Sequence, residues 1–324
     1  MQAIQCREFG APNEVLATVE VPIPEPGNGQ LLVKTIFGTI HNHDLGIVRG
    51  GYGVLPQLPF VGGSEGVGIV AKLGPGVENF KVGDRINAAR SASGTWAEYF
   101  LAESSTSIKV PDSISDEDAA QLIAMPLSAL VLLEAFNLGP GEWCLSNCAN
   151  GVVGRMLSAI CKARGVRMVK LVRREEAKVE MESLGFADLV STSDADWKEQ
   201  VKALVAGSTL KAAVDNVGGS VAGDLLGLLS HTGTLISFGN LTGKPLELGS
   251  GPLIFSARIV RGLWVPQEMA LYSPEKLAEM LGEVVCLVAT KQMILPKANV
   301  YDFEHLSQAT AQRTAGRGKV LFKP

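Results

Sequence analysis

Trp143-Cys144-Leu145-Ser146-Asn147-Cys148-Ala149-Asn150-Gly151-Val152-Val153-Gly154 decides how this chain folds. An apolar run of strand length enters a turn of small residues, and an apolar helical pattern leaves it. Gly151 and Gly154 stand where a glycine-rich phosphate loop needs them. Gly151 lets the backbone approach a pyrophosphate, Gly154 lets the helix pack close to the sheet, and the helix N-terminus faces the anion. The first glycine of the usual G-x-G-x-x-G is Ala149 here, which leaves the motif weak when taken alone. Its context strengthens it. Val153, Leu157 and Ile160 give the following helix an apolar stripe, and Gly165 stops it before a second strand over 166–172. Arg173 follows, about where a dinucleotide fold reads the ribose. An ordinary strand–turn–helix without a ligand is the plainer alternative on these residues.

At 324 residues the chain is too long for one compact core and suits two domains. A net charge of −4 and the lack of any dense Lys/Arg run argue against a nucleic-acid surface; Arg173-Arg174 is a pair, not a patch. No apolar run reaches membrane-spanning length, and the start Met1-Gln2-Ala3-Ile4-Gln5 shows neither a basic region nor a hydrophobic signal core. Five cysteines (Cys6, Cys144, Cys148, Cys161, Cys286) are scattered and odd in number, which disfavours a disulfide framework. The expected location is a reducing cytoplasm.

The first hundred residues read as strands and turns. Pro22, Pro24 and Pro26, with Gly27 and Gly29, break the chain before a strand over 31–37. The glycine-rich run 62–68 leads into Ile69-Val70-Ala71, and the turn at 81–84 into another strand, so a small β-barrel-like domain is expected. Ser115 with Asp118 suggests a capping box opening alanine-rich helical sequence to Phe136, which Pro126 should kink or split. From Trp143 to about Trp264 the pattern is βαβ, with strands expected at 143–148, 166–172, 188–192, 211–215, 233–238 and 258–264 in a parallel sheet. A helix capped by Ser273, with Pro274 at its first position, should run to about Thr290. A last short strand, 319–322, should rejoin the first domain.

In this order of parts the chain resembles the medium-chain dehydrogenase/reductases. Residues 59–68 and 77–84 carry the likeness over the first domain. Within that superfamily it is most similar to the 2-enoyl thioester reductases, through residues 50–56, Gly94-Thr95-Trp96, Asp215-Asn216-Val217-Gly218-Gly219, Leu253-Ile254-Phe255 and Arg261-Gly262-Leu263-Trp264. Quinone oxidoreductases of the zeta-crystallin type share much of the same skeleton. The implied fold is α/β: a GroES-like β-barrel catalytic domain (1–122 with 293–324) and a Rossmann doubly wound parallel sheet (123–292).

Zinc-dependent relatives hold a catalytic metal through a Cys and a His, the His lying in a Gly-His-Glu turn. Here that turn reads Gly63-Ser64-Glu65, the neighbourhood of the cysteine reads Gly38-Thr39-Ile40, and no cluster of closely spaced cysteines exists. No metal is expected. His41, His43 and Asp44 are expected to line a pocket wall or to satisfy local hydrogen bonds. Something else must then polarise the substrate. The resemblance implies that Tyr52 is the catalytic tyrosine, donating to the enolate that forms when hydride reaches the β-carbon; a simple loop tip is the alternative. Trp96 is expected at the catalytic site as a pocket wall, with core packing as the other choice. His41 stands where relatives often carry Asn, which leaves open how the nicotinamide side is bonded.

Two arginines, Arg173 and Arg174, end the second strand where an NAD enzyme would carry an acid, so the expected cofactor is NADPH, with its 2′-phosphate on these residues and Lys178. The expected cofactor-binding set is Asn147, Asn150, Gly151, Val152, Val153, Gly154, Arg173, Arg174, Lys178, Phe238, Gly239, Leu263 and Trp264. Glu175 and Glu176 suit the start of the next helix. The reading is an NADPH-dependent reduction of an activated C=C bond, with a 2-enoyl thioester as substrate. Its rivals are a quinone or small-enone reductase and a non-catalytic NADPH-binding protein with a regulatory or structural role. A homodimer is expected by resemblance, through the apolar edge strand at 259–264.

Overall fold

Trp143–Ser146 is a strand and Val152–Ala163 a helix in a computed structural model that describes residues 1–89, 91, 93–314 and 318–324. The chain divides into two units, Met1–Ala124 with Val284–Pro324, and Met125–Glu283.

In the second unit six parallel strands lie in the spatial order Leu189–Ser191, Arg167–Val172, Trp143–Ser146, Leu210–Asp215, Thr234–Ser237, Ile259–Gly262. All fall within two residues of their expected positions. The chain first builds outward on one side of Trp143–Ser146, then returns to build on the other. That reversal makes the sheet doubly wound and puts its ligand crevice at the carboxyl ends of the strands. The inner strands are largely apolar and buried because both faces are covered. Leu145, Val169, Leu171, Ala213 and Leu235 pack with Trp197, Val201, Leu225 and Leu226 of the covering helices. Each large side chain so buried contributes roughly 1.5–3 kcal/mol.

Helix Val152–Ala163 buries Met156, Leu157, Ile160 and Cys161, whereas Val153, expected in that stripe, is only half-buried. Gly165 follows at φ +70°, a left-handed conformation that an L side chain seldom adopts, and the helix ends there. The expected helix to Phe136 is two helices, Asp116–Ala119 and Ala124–Phe136. Ser115 Oγ accepts from the Asp118 amide at 3.2 Å, and Pro126 lies in the first turn of the second helix, where a missing N–H costs nothing. Pro274–Ala289 is a helix whose Lys276 amide donates to Ser273 Oγ at 3.2 Å. Two short helices, Ser250–Phe255 and Val265–Met269, lie in stretches to which the sequence reading gave no helix.

The spine of the first unit is the strand Gln30–Ile40. It pairs antiparallel with Glu65–Leu73, Tyr99–Glu103 and, near its end, Lys319–Lys323. Register shifts between Leu32 and Val33 and between Thr35 and Phe37 bend it, so that the sheet curls. Arg85–Ala89 and Ser107–Lys109 extend one side, and Ala298–Asp302 the other. The last strand thus returns to the first unit, as expected. A smaller sheet joins Leu16–Glu20, Gln2–Cys6 and Phe60–Val61.

Candidate functional site

Within Met125–Glu283 the expected cofactor residues gather at the carboxyl ends of the strands. Asn147 follows Trp143–Ser146, Arg173 and Arg174 follow Arg167–Val172, Phe238 and Gly239 follow Thr234–Ser237, and Leu263 and Trp264 follow Ile259–Gly262. Asn147 is buried: its Nδ2 donates to Asp215 Oδ1 at 2.5 Å and its Oδ1 accepts from the Asn216 amide at 2.7 Å. Asp215, wholly buried, also accepts from the amides of Val217 (2.9 Å) and Gly218 (3.1 Å). The Phe238 and Gly239 amides donate to the Asp215 carbonyl at 2.9 and 3.2 Å, and the Leu263 amide to Ser237 O at 3.1 Å. One carboxylate therefore ties the ends of Trp143–Ser146 and Leu210–Asp215, and main-chain bonds carry the tie to Thr234–Ser237 and Ile259–Gly262. Phe238, Gly239 and Trp264 are half-buried, and Leu263 is buried.

The phosphate loop has the close packing its glycines predict. A Cβ on Gly154 would lie 2.7 Å from Ala149 Cα, Ala149 O and Cys148 O. Ala149 is itself wholly buried, its amide donating to Leu171 O at 3.1 Å. Gly151 is the N-cap of helix Val152–Ala163 and offers no side-chain capping bond to the first-turn amides. Asn150, Val152 and Val153 are half-buried beside it. Arg173 and Arg174 are exposed, Arg174 being the N-cap of Glu175–Ser183. Lys178 pairs with Glu175 at 3.5 Å on its own helix. A loop backed by backbone at van der Waals distance, with two exposed guanidinium groups one strand away, fits a phosphorylated dinucleotide.

The first unit brings together a second set. His41 is 1% exposed, its Nε2 2.7 Å from Glu65 Oε2 and its Nδ1 2.8 Å from Lys319 Nζ. Its amide donates to Asp44 Oδ2 at 2.7 Å. Glu65 Oε1 accepts from the Ile123 amide at 2.7 Å and from the Ala124 amide at 3.1 Å. Burial, and then the Lys319 charge, hold the His41 pKa well below the usual imidazole value. Burial pushes Glu65 up, against the Lys319 charge and the Ile123 amide. It pushes Lys319 down to about 7, against the Glu65 carboxylate. His43 stacks on His41 with ring centroids 4.9 Å apart and planes 10° from parallel, and its Nε2 lies 2.7 Å from Ser64 Oγ. Tyr52, half-buried, has its ring centroid 5.9 Å from that of His43.

His41 thus satisfies one local hydrogen bond, its amide to Asp44, while its ring reaches partners distant in the chain. The sequence reading missed Lys319 altogether and treated Glu65 only as part of a turn. One signal existed: Lys319 opens a strand whose next three residues are all buried and apolar.

Trp96 does not belong at a catalytic site. It is wholly buried, donates Nε1–H to Thr39 O at 2.9 Å and meets Phe322 edge-on at 5.5 Å. A Cβ on Gly62 or Gly63 would land in its ring. Its indole fills the space those glycines leave, so it supports the 62–65 turn from beneath and reaches no solvent.

His41 offers zinc no free ring nitrogen. Both ring nitrogens of His41 are engaged by Glu65 and Lys319, and a lysine ammonium at 2.8 Å repels a cation. Among the described residues no three His, Cys, Asp or Glu side chains converge in a metal-ligating group.

Residues 27–112 match the alcohol dehydrogenase GroES-like domain, and residues 152–284 the zinc-binding dehydrogenase domain. The chain is 32% identical to a mitochondrial enoyl-[acyl-carrier-protein] reductase of Arabidopsis thaliana, over 88% of this chain and 78% of that protein. It is 34% identical to one of Caenorhabditis elegans, over 82% of this chain and 80% of that protein. The quinone oxidoreductase of Escherichia coli, solved in complex with NADPH, superposes with a TM-score of 0.88 at 26% identity over 100% of both chains. The chain belongs to the medium-chain dehydrogenase/reductase superfamily. Within it, the chain belongs with the enoyl-[acyl-carrier-protein] reductases. It has the expected α/β fold, a GroES-like domain with a doubly wound parallel sheet.

The expected cytoplasmic location is corrected by these relatives, which are mitochondrial. All five cysteines are free, and free thiols do not distinguish one reducing compartment from another.

Proposed function

We propose that this chain reduces the carbon–carbon double bond of a 2-enoyl thioester with NADPH, without zinc, and that Tyr52 is its proton donor. What carries the thioester reading is identity above 30% across most of the chain with enoyl-[acyl-carrier-protein] reductases. NADPH, when bound, supplies the hydride. The chain's own residues do the rest. Gly151 and Gly154 bring backbone amides to the pyrophosphate, and Asn147, held by Asp215, fixes that loop before the ligand arrives. Arg173 and Arg174 take the 2′-phosphate, while Lys178 is drawn toward Glu175. The Tyr52 phenol donates to the oxygen on which enolate charge develops and then delivers a proton to the α-carbon. Zinc-free polarisation by Tyr52 is supported by a His41 whose nitrogens are both engaged.

The likeness to quinone oxidoreductases favours a second reading, reduction of a quinone or small enone on the same scaffold. The deciding measurement is NADPH oxidation with crotonyl-coenzyme A beside a simple quinone. Turnover with the thioester and little with the quinone is expected, and the reverse refutes the thioester reading. Homodimerisation through the edge strand Ile259–Gly262 accompanies the proposal. It is supported by Ile254 (68% exposed), Phe255 (83%) and Ile259 (50%), which lie exposed near that edge, and sedimentation of the purified protein tests it. The location that goes with this reading is the mitochondrial one of the relatives.

A further inference from the structure

Each reduction consumes a proton. Hydride forms the new C–H bond at the β-carbon, the π pair moves to the carbonyl oxygen, and the α-carbon then takes H⁺ from the Tyr52 phenol. Tyr52 is left as phenolate, and the next turnover needs it protonated. The rate at which that proton returns depends on what stands beside the ring.

His43 stands there. Its ring centroid is 5.9 Å from that of Tyr52, with the planes tilted by 37°. It keeps 23% of its side chain exposed, so it can exchange protons with solvent, whereas His41 beneath it is sealed. Nε2 of His43 is 2.7 Å from Ser64 Oγ and 3.5 Å from Asp44 Oδ1. One face of the imidazole lies on His41, whose own ring is held at both nitrogens by Glu65 and Lys319. The array beneath His43 contains no second histidine charge, because burial and the Lys319 ammonium keep His41 neutral. Arg313 also lies near this segment, its Nε donating to Ile40 O at 3.2 Å.

We propose that His43 is the relay residue that returns a proton from solvent to Tyr52 after each turnover, directly or across one water, with Ser64 and stacked His41 fixing its ring. This rests on the enoyl thioester reading. Imidazole is the side chain suited to carrying a proton near neutral pH, and a ring separation of this size admits edge contact or a single bridging water. The proton balance closes: solvent gives H⁺ to His43, His43 gives it to the Tyr52 phenolate, and Tyr52 gives the next one to carbon. His43 acts through Tyr52 and so is a positioning and relay residue, not one that touches substrate.

The test uses the purified full-length protein, NADPH and crotonyl-coenzyme A, with His43→Ala and added imidazole. The expected result is a kcat reduced about tenfold to hundredfold, with KM for the thioester and the Kd for NADPH within about twofold of wild type. Free imidazole should restore kcat in a saturable way. It should do nothing for Tyr52→Phe, and adding His43→Ala to Tyr52→Phe should slow it no further. A kcat within twofold of wild type, or a reduced one indifferent to imidazole, overturns the relay. If alanine unfolds the segment, His43→Gln keeps a polar contact for Ser64 but carries no proton, and normal turnover by that variant overturns the relay equally. A wild-type protein inactive toward the thioester overturns the functional reading and the relay with it. An active wild type with an unaffected His43→Ala overturns the relay alone.

Discussion

Gly154→Ala puts the phosphate loop under a defined load. The new Cβ would sit 2.7 Å from three backbone atoms, Ala149 Cα, Ala149 O and Cys148 O, whereas ordinary contact begins at 3.4 Å. None is the end of a flexible side chain, and Ala149 is packed with no exposure, so helix and loop must separate by about 0.7 Å. A charge-assisted N–H···O bond of about 2.8 Å, lengthened that far, reaches about 3.5 Å and is lost. A hydrogen bond to a charged group contributes roughly 1.5–3 kcal/mol, so the Kd for NADPH should rise roughly 10- to 150-fold. NADPH fluorescence titration measures it, and a urea melt of the same sample reports whether the unit stays folded. Alanine is the better helix former by about 1 kcal/mol, so a stability gain with unchanged Kd is what the substitution would give if the close packing were irrelevant. That pair of results refutes the argument.

Replacing Arg173 and Arg174 together by Ala should raise the Kd for NADPH roughly tenfold or more while leaving NADH binding nearly unchanged, read by titration with both nucleotides. Tyr52→Phe should lower kcat by roughly 10²–10⁴-fold with little change in NADPH affinity, and an unchanged rate would remove Tyr52 from the mechanism. His41 gives a pH prediction: folded, its pKa lies well below 6.5, whereas unfolded it takes a proton as pH falls through about 6.5. The unfolded state then binds more protons, so stability is lost on acidification through that window. The stability advantage of wild type over His41→Asn should therefore shrink between about pH 7.5 and pH 5.5 in urea melts, and a constant difference would contradict the assignment.

The doubly wound unit was legible because its signals are local. The turn at 147–154, the stop at Gly165 and the apolar strands each fall within a few residues of chain, and the structure keeps them. The first unit was legible in outline only. Trp96 sits in a Gly-Thr-Trp that looks like a pocket wall, but its burial is decided by Gly62, Gly63 and Phe322, none of them near it in sequence. The Glu65–His41–Lys319 array was out of reach for the same reason. Lys319 lies 278 residues from His41, and only the antiparallel pairing of Val320 with Ile40 brings them together. The kink or split expected at Pro126 is a split, and it lies just ahead of that residue, between Ala119 and Ala124. A proline tolerates the first turn of a helix better than its interior, so the break moved ahead of it.

Trp96 also gives the molecule an optical asymmetry. It is wholly buried in the first unit, while Trp143 and Trp197 are buried in the second and Trp264 is half-buried there. A protein carrying Phe at 143, 197 and 264 would emit from the first unit alone, and one carrying Phe at 96 from the second alone. Emission from either would then report whether the curled sheet and the nucleotide sheet melt together or one after the other.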